Sequence, residues 1–156
     1  MERFEERRRA DAPIEDCWAV LVAAERAPEW VPFVSTATDD GRNGVGRVQT
    51  VTGSLLGISM DVEQVVDVWE PPHRFGWVAD RPFTTRLRVE LEPVDAATTQ
   101  ITAAIEADLG TFPVGRRIAA MTVRRQFARS ADALVELVEQ RASEAGSGPA
   151  TPGDPA

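Results

Sequence analysis

The 156-residue sequence predicts one α+β domain, a seven-stranded antiparallel sheet packed on a long C-terminal helix, with two short helices after the first strand. Three observations lead there. The apolar period is 3.6 over residues 13–23, becomes two from Val34 to about residue 108, and returns to 3.6 for nearly thirty residues beyond Pro113. Turn signals cut the middle stretch at Asp40 to Gly44, Gly53 to Gly57, Pro71-Pro72, Asp80 to Pro82 and Pro93 to Ala97, leaving connections that suit an antiparallel meander. A chain of this length builds a single core, so one unit carries the whole activity.

Residues 1–10 read as the first strand. They hold Glu2, Arg3, Glu5, Glu6, Arg7, Arg8 and Arg9, a heavy charge load for a half-buried strand, and alternation gathers Phe4, Glu6, Arg8 and Ala10 on one face. Pro13 suits a first helical turn behind a cap at Asp11 or Ala12, and Ile14, Cys17, Trp18 and Leu21 then form one apolar stripe over residues 13–23. Glu29-Trp30-Val31-Pro32-Phe33 is bounded by prolines and gives a second, shorter helix.

Six strands follow, at about 34–39, 45–53, 57–69, 73–80, 83–92 and 98–108. Alternation is cleanest where Leu87, Val89 and Leu91 oppose Arg86, Arg88 and Glu90. In the strand after Gly57, Ile58, Met60, Val62, Gln64, Val66 and Val68 share a face and Asp61, Glu63 and Asp67 lie opposite, so one side of the sheet meets water. The last helix is expected to end near Ala142. Its stripe of Phe127, Ala131, Leu134, Val135 and Val138, projected backwards, brings Ala120, Arg117 and Arg124 to the same side. Residues 143–156 carry three Pro, three Gly and no large apolar side chain, which predicts a disordered tail after a domain spanning 1–142.

The composition excludes several classes of function. All 17 basic residues are Arg against 25 acidic ones, and the net charge of −8 argues against a nucleic-acid partner. No apolar run is long enough to span a membrane and no charged segment leads into an apolar leader, so a cytoplasmic protein is expected. Cys17 is the sole cysteine and His73 the sole histidine, too few for an internal disulfide or a closed zinc site, and neither metal nor cofactor is expected. A chain without Lys has no Gly-x-x-x-x-Gly-Lys phosphate loop, and there is no Gly-x-Ser-x-Gly elbow. The glycine-rich Gly41 to Gly46 joins two strands and reads as a tight turn.

Ala-Pro-Ile-Glu-Asp-Cys-Trp at 12–18, Pro-Glu-Trp-Val-Pro at 28–32 and Gly-Val-Gly at 44–46, in this order within residues 2–142, resemble the START/SRPBCC superfamily, including proteins labelled polyketide cyclase/dehydrase. The resemblance implies a helix-grip fold, its sheet curled around the long helix, with a deep cavity for lipids, steroids, polyketides or other apolar molecules. The residues support such a space independently. Aromatics are 6% of the chain, and the inward candidates Thr50, Thr52, Ala103, Ala107 and Ala120 are small fillers for the gap beneath a seven-stranded sheet.

The expected ligand-binding set is Arg8, Met60, Val62, Gln64, Phe75, Trp77, Phe83, Leu87, Val89, Ile105, Phe112, Ala120, Met121 and Arg124. Arg124 on the gripping helix is placed to bind a carbonyl or carboxylate, or else to snorkel into solvent, with Arg117 and Arg125 as register alternatives. Glu6 and Arg8, facing inward beside Gln64, form either a polar end to the cavity or an inert ion pair, with Glu6 and Arg124 the candidates for catalysis. Phe75 and Trp77 form an aromatic wall or ordinary core, and Trp30, Phe33, Phe83 and Phe112 gather near the mouth as gate or as packing. Cys17 and Trp18 read as core, and His73 as a surface residue. Three functions remain: binding a small hydrophobic molecule, aromatic or polyketide-like; catalysis as a polyketide cyclase, aromatase or dehydratase; or a protein-interaction module such as a chaperone activator.

Overall fold

The computed structural model describes residues 1–110 and 112–147. Strand β1 (Glu2–Ala10) leads into helix α1 (Ile14–Leu21), a 3-10 turn (Ala24–Arg26) and helix α2 (Ala27–Trp30). Strands β2 (Val34–Asp39), β3 (Val48–Leu55), β4 (Ile58–Glu70), β5 (Arg74–Ala79), β6 (Thr85–Asp95) and β7 (Thr98–Ala107) follow, and helix α3 (Arg116–Ser147) closes the chain. The order across the sheet is β1-β7-β6-β5-β4-β3-β2, every neighbour antiparallel. The six-strand meander is therefore completed by β1 beside β7, pairing Glu6 with Ala103 and Arg8 with Ile101.

Local chemistry explains the boundaries that moved. Pro13 caps α1 from an extended backbone, and its carbonyl accepts from the amides of Asp16 and Cys17, one position earlier than a first-turn proline. Gly53 belongs to β3 and not to the following turn. A Cβ there would sit 2.1 Å from the Phe33 carbonyl oxygen, so only glycine lets β2 begin so close. The hairpin turns at Leu56 and Gly57, both at positive φ, which matches the right-handed twist of the flanking strands. Helix α3 runs to Ser147, so residues 143–147 of the expected tail are helical, and 148–156 lie outside the described residues.

A bulge in β4 changes which side chains face in. Val66 opposes Trp77, but the register shifts so that Val68 opposes Gly76 and Trp69 opposes Phe75. Trp69, not Val68, thereby joins the interior. It packs edge-on with Trp18 and Phe75 at ring separations of 5.4 and 6.0 Å. The expected inward Thr50 and Thr52 face outward opposite Glu63 and Asp61, while Gln49 and Val51 turn in.

Three apolar clusters hold the layers together. The largest joins α1 to β4–β7 and the C-terminal half of α3 through Ile14, Cys17, Val20, Val66, Phe75, Leu91, Leu134 and Val138, each buried aliphatic contributing about 1.5–3 kcal/mol. A second, around Phe4, Ala107, Leu109 and Ala119, ties β1 and β7 to the start of α3, and a third lies beneath α2 at Val34, Ala37 and Val51. The outer face of the sheet is polar. On it Arg3 reaches Glu5 and Glu106, and Arg88 grips Asp67 with two hydrogen bonds. Among the described residues no helix is long and apolar enough to cross a membrane.

Candidate functional site

The clusters leave room between them. A cavity of about 160 Å³ lies between the sheet and the middle of α3, space for on the order of ten water molecules or one small organic molecule. Met60, Val62 and Gln64 of β4, Phe75 and Trp77 of β5, Phe83, Leu87 and Ile105 line it, all of them residues of the expected ligand-binding set. The alternation that buries one face of β4 to β7 delivers all of them but Phe83, which comes from the loop between β5 and β6. Trp30 and Val31 come from the α2 segment, and Gln49, Val51 and Leu55 from β3.

Helix α3 presents a different line of residues from the expected one. Val123, Gln126, Phe127 and Ser130 face the cavity. Two of these four are polar, which is why a stripe drawn through apolar positions comes out rotated. The rotation carries Arg124 to the surface, where its guanidinium lies over the Phe4 ring at 5.5 Å. Arg117 and Arg125 are exposed too, and Met121 is 51% exposed on the solvent side. Ala120 packs into the cluster around Phe4, Phe112 stacks edge-on behind Phe83 at 4.9 Å, and Val89 is buried in the main core. None of these lines the cavity.

Glu6 and Arg8 stand outside it as well. Arg8 donates to Glu6 at 2.8 Å and to Asp132 of α3 at 2.8 Å, stapling the edge strand to the helix. The bond to Asp132, opposed by partial burial and reinforced by Glu6, raises the Arg8 pKa further. The pair sits between β1 and α3, away from the cavity. His73 is exposed with its Nδ1 near the Leu91 carbonyl oxygen, and Cys17 is buried, where desolvation pushes its thiol up to about 11.

The polar feature that alternation in β3 could have disclosed is Arg47, which shares parity with Gln49 and Val51. It is 4% exposed and lies over the Trp69 ring at 4.9 Å. Its hydrogen bonds go to neutral acceptors: the carbonyls of Val22 at 2.6 Å and Arg42 at 2.7 Å, Asn43 Oδ1 at 2.8 Å and Gln49 Oε1 at 3.2 Å. The glycine-rich loop is thus a cradle for a guanidinium and more than a tight turn. Because guanidinium only donates, Gln49 must turn its oxygen towards Arg47, and its Nε2 then donates to Gln64 Oε1 at 2.9 Å. That leaves Gln64 Nε2 as a donor on the cavity wall.

The described lining contains no Asp, Glu, His, Arg or Cys. Its polar groups are Gln49, Gln64, Gln126, Thr85, Ser130 and the indole N–H groups of Trp30 and Trp77. Such a surface binds by burial and neutral hydrogen bonds, and it offers no side chain that exchanges protons near neutral pH.

The family described as polyketide cyclase / dehydrase and lipid transport matches residues 1–139. The chain belongs to this family, within the START/SRPBCC superfamily. Solved structures share its fold. The Zhui aromatase/cyclase from Streptomyces sp. R1128 superposes with a TM-score of 0.79 at 16% identity, covering 93% of this chain and 98% of that one. TTHA0849 from Thermus thermophilus gives 0.73 at 15% identity over 94% and 100%. A START superfamily protein from Mycobacterium smegmatis gives 0.69 at 15% identity over 92% and 98%. A search of curated proteins finds no match.

Proposed function

We propose that this protein binds a small hydrophobic molecule, aromatic or polyketide-like, in the cavity between the sheet and α3, without transforming it. The observation that carries this reading is the absence of any titratable side chain from the described lining. Burying roughly 300 Å² of ligand surface at about 25 cal/mol/Å² amounts to ~7 kcal/mol before the costs of association. Gln64, held by Arg47 through Gln49, supplies orientation. The family description and the fold shared with an aromatase/cyclase favour a second reading, ring closure or dehydration inside the cavity. That chemistry needs a proton acceptor, and the lining supports it with hydroxyls and amides alone.

Native mass spectrometry of the freshly purified protein tests the proposal. A neutral organic adduct is expected, and it should be missing from a Val62→Trp variant whose indole fills the space. A wild-type protein that neither carries an adduct nor takes up apolar probes overturns the reading, and conversion of a poly-β-ketone chain by the purified protein would favour catalysis.

A further inference from the structure

Among the described residues, two buried side-chain polar atoms lack a hydrogen-bond partner, Trp30 Nε1 and Gln126 Oε1, and both residues line the cavity. Buried polar atoms are almost always paired, so two exceptions on the wall of one cavity call for an explanation. Their chemistry is complementary but unjoined. The indole nitrogen only donates and the amide oxygen only accepts, and although α2 packs against α3 the two atoms do not bond each other. One group satisfies both at once: a hydroxyl, whose oxygen accepts from Trp30 Nε1 and whose O–H donates to Gln126 Oε1.

Resting on the proposed binding function, we infer that the ligand is an uncharged apolar molecule bearing a hydroxyl, phenolic or enolic, seated between Trp30 and Gln126. A carboxylate would meet no cation in the described lining, and its oxygen would face the Gln126 oxygen without a proton to share. A pure hydrocarbon would bury both atoms unpaired.

A matched set of two-ring probes tests this by isothermal titration calorimetry. 2-Naphthol should bind about tenfold more tightly than 2-methylnaphthalene, with 2-methoxynaphthalene, which accepts without donating, about midway and 2-naphthoate weakest. Gln126→Leu should erase the preference for 2-naphthol over 2-methoxynaphthalene, and Trp30→Phe should bring 2-methoxynaphthalene to the level of 2-methylnaphthalene while 2-naphthol, still donating to Gln126, keeps about half of its advantage. The wild-type protein gives an independent readout. Of the four indole N–H resonances, that of Trp30 should lie further downfield in the 2-naphthol complex than in the 2-methylnaphthalene complex. Neutral probes that bind within about twofold of one another, with that resonance unmoved between complexes, would overturn the hydroxyl assignment and leave apolar binding standing. Preference for 2-naphthoate would also overturn it. Failure of every probe to bind would remove this inference and the proposed function together.

Discussion

Cys17 gives the protein an alkaline signature at the scale of one atom. The sequence has neither Lys nor Tyr, so between pH 9 and 11 this thiol is the one side chain that titrates. Its pKa is about 11 in the folded chain against 9.0 when free, chiefly because burial disfavours the thiolate. The unfolded chain therefore sheds the proton first. Stability is full below pH 9, falls as pH rises towards 11, and flattens beyond it. Urea denaturation at successive pH values should trace this decline, and Cys17→Ala should abolish it. Arg47 makes the opposite case, a buried charge whose loss is costly. Arg47→Met strands acceptors on Val22, Arg42 and Asn43 and should cost about 2–4 kcal/mol in a denaturant melt. Arg124→Ala, on the surface, should change stability by about 1 kcal/mol at most and leave probe affinity within about twofold.

At the scale of elements, period and punctuation in the sequence place the seven strands and the first and last helices, because one polar and one apolar face leave a clear rhythm; the second short helix, expected over 29–33, instead spans Ala27–Trp30 behind a 3-10 turn at Ala24–Arg26, a stretch too short for any period to show. What they do not reveal are phase errors inside elements. The bulge that swaps Trp69 for Val68 leaves no mark in an otherwise regular β4. Likewise α3 turns Gln126 and Ser130 inward, so its cavity-facing side is hidden by its own polarity. Arg47 escapes notice for the same reason: a charge is read as outward unless its parity is counted from Val51. Gly53 is legible as a glycine but not as a close contact. Gly53→Ala should cost about 1–3 kcal/mol, measured by thermal or chemical unfolding, because the added methyl displaces the Phe33 carbonyl.

Across the whole molecule, packing and vacancy are separated along α3. Its C-terminal half completes a dense core with α1, while its middle spans the cavity. Stability and the proposed binding therefore draw largely on different residues and can be set against each other. Ser130→Leu puts a branched aliphatic side chain where a small hydroxyl now borders the cavity. It should raise unfolding stability by about 1–2 kcal/mol while weakening probe binding about tenfold or more, both measurable on one preparation. A variant that gained no stability and still bound probes would show that the space beside Ser130 is not shared with the ligand.

The heavy charge on β1 gains a meaning once its place at the margin of the sheet is known. Seven of its nine residues are Glu or Arg, and among the described residues β7 is the one strand beside it in the sheet. That segment leaves the ribosome long before its mate has been made, since Glu6 must find Ala103. In the interval it is an unattached ribbon of amides, the kind of segment that recruits neighbours into aggregates, and its ionic coat keeps it in solution until β7 arrives.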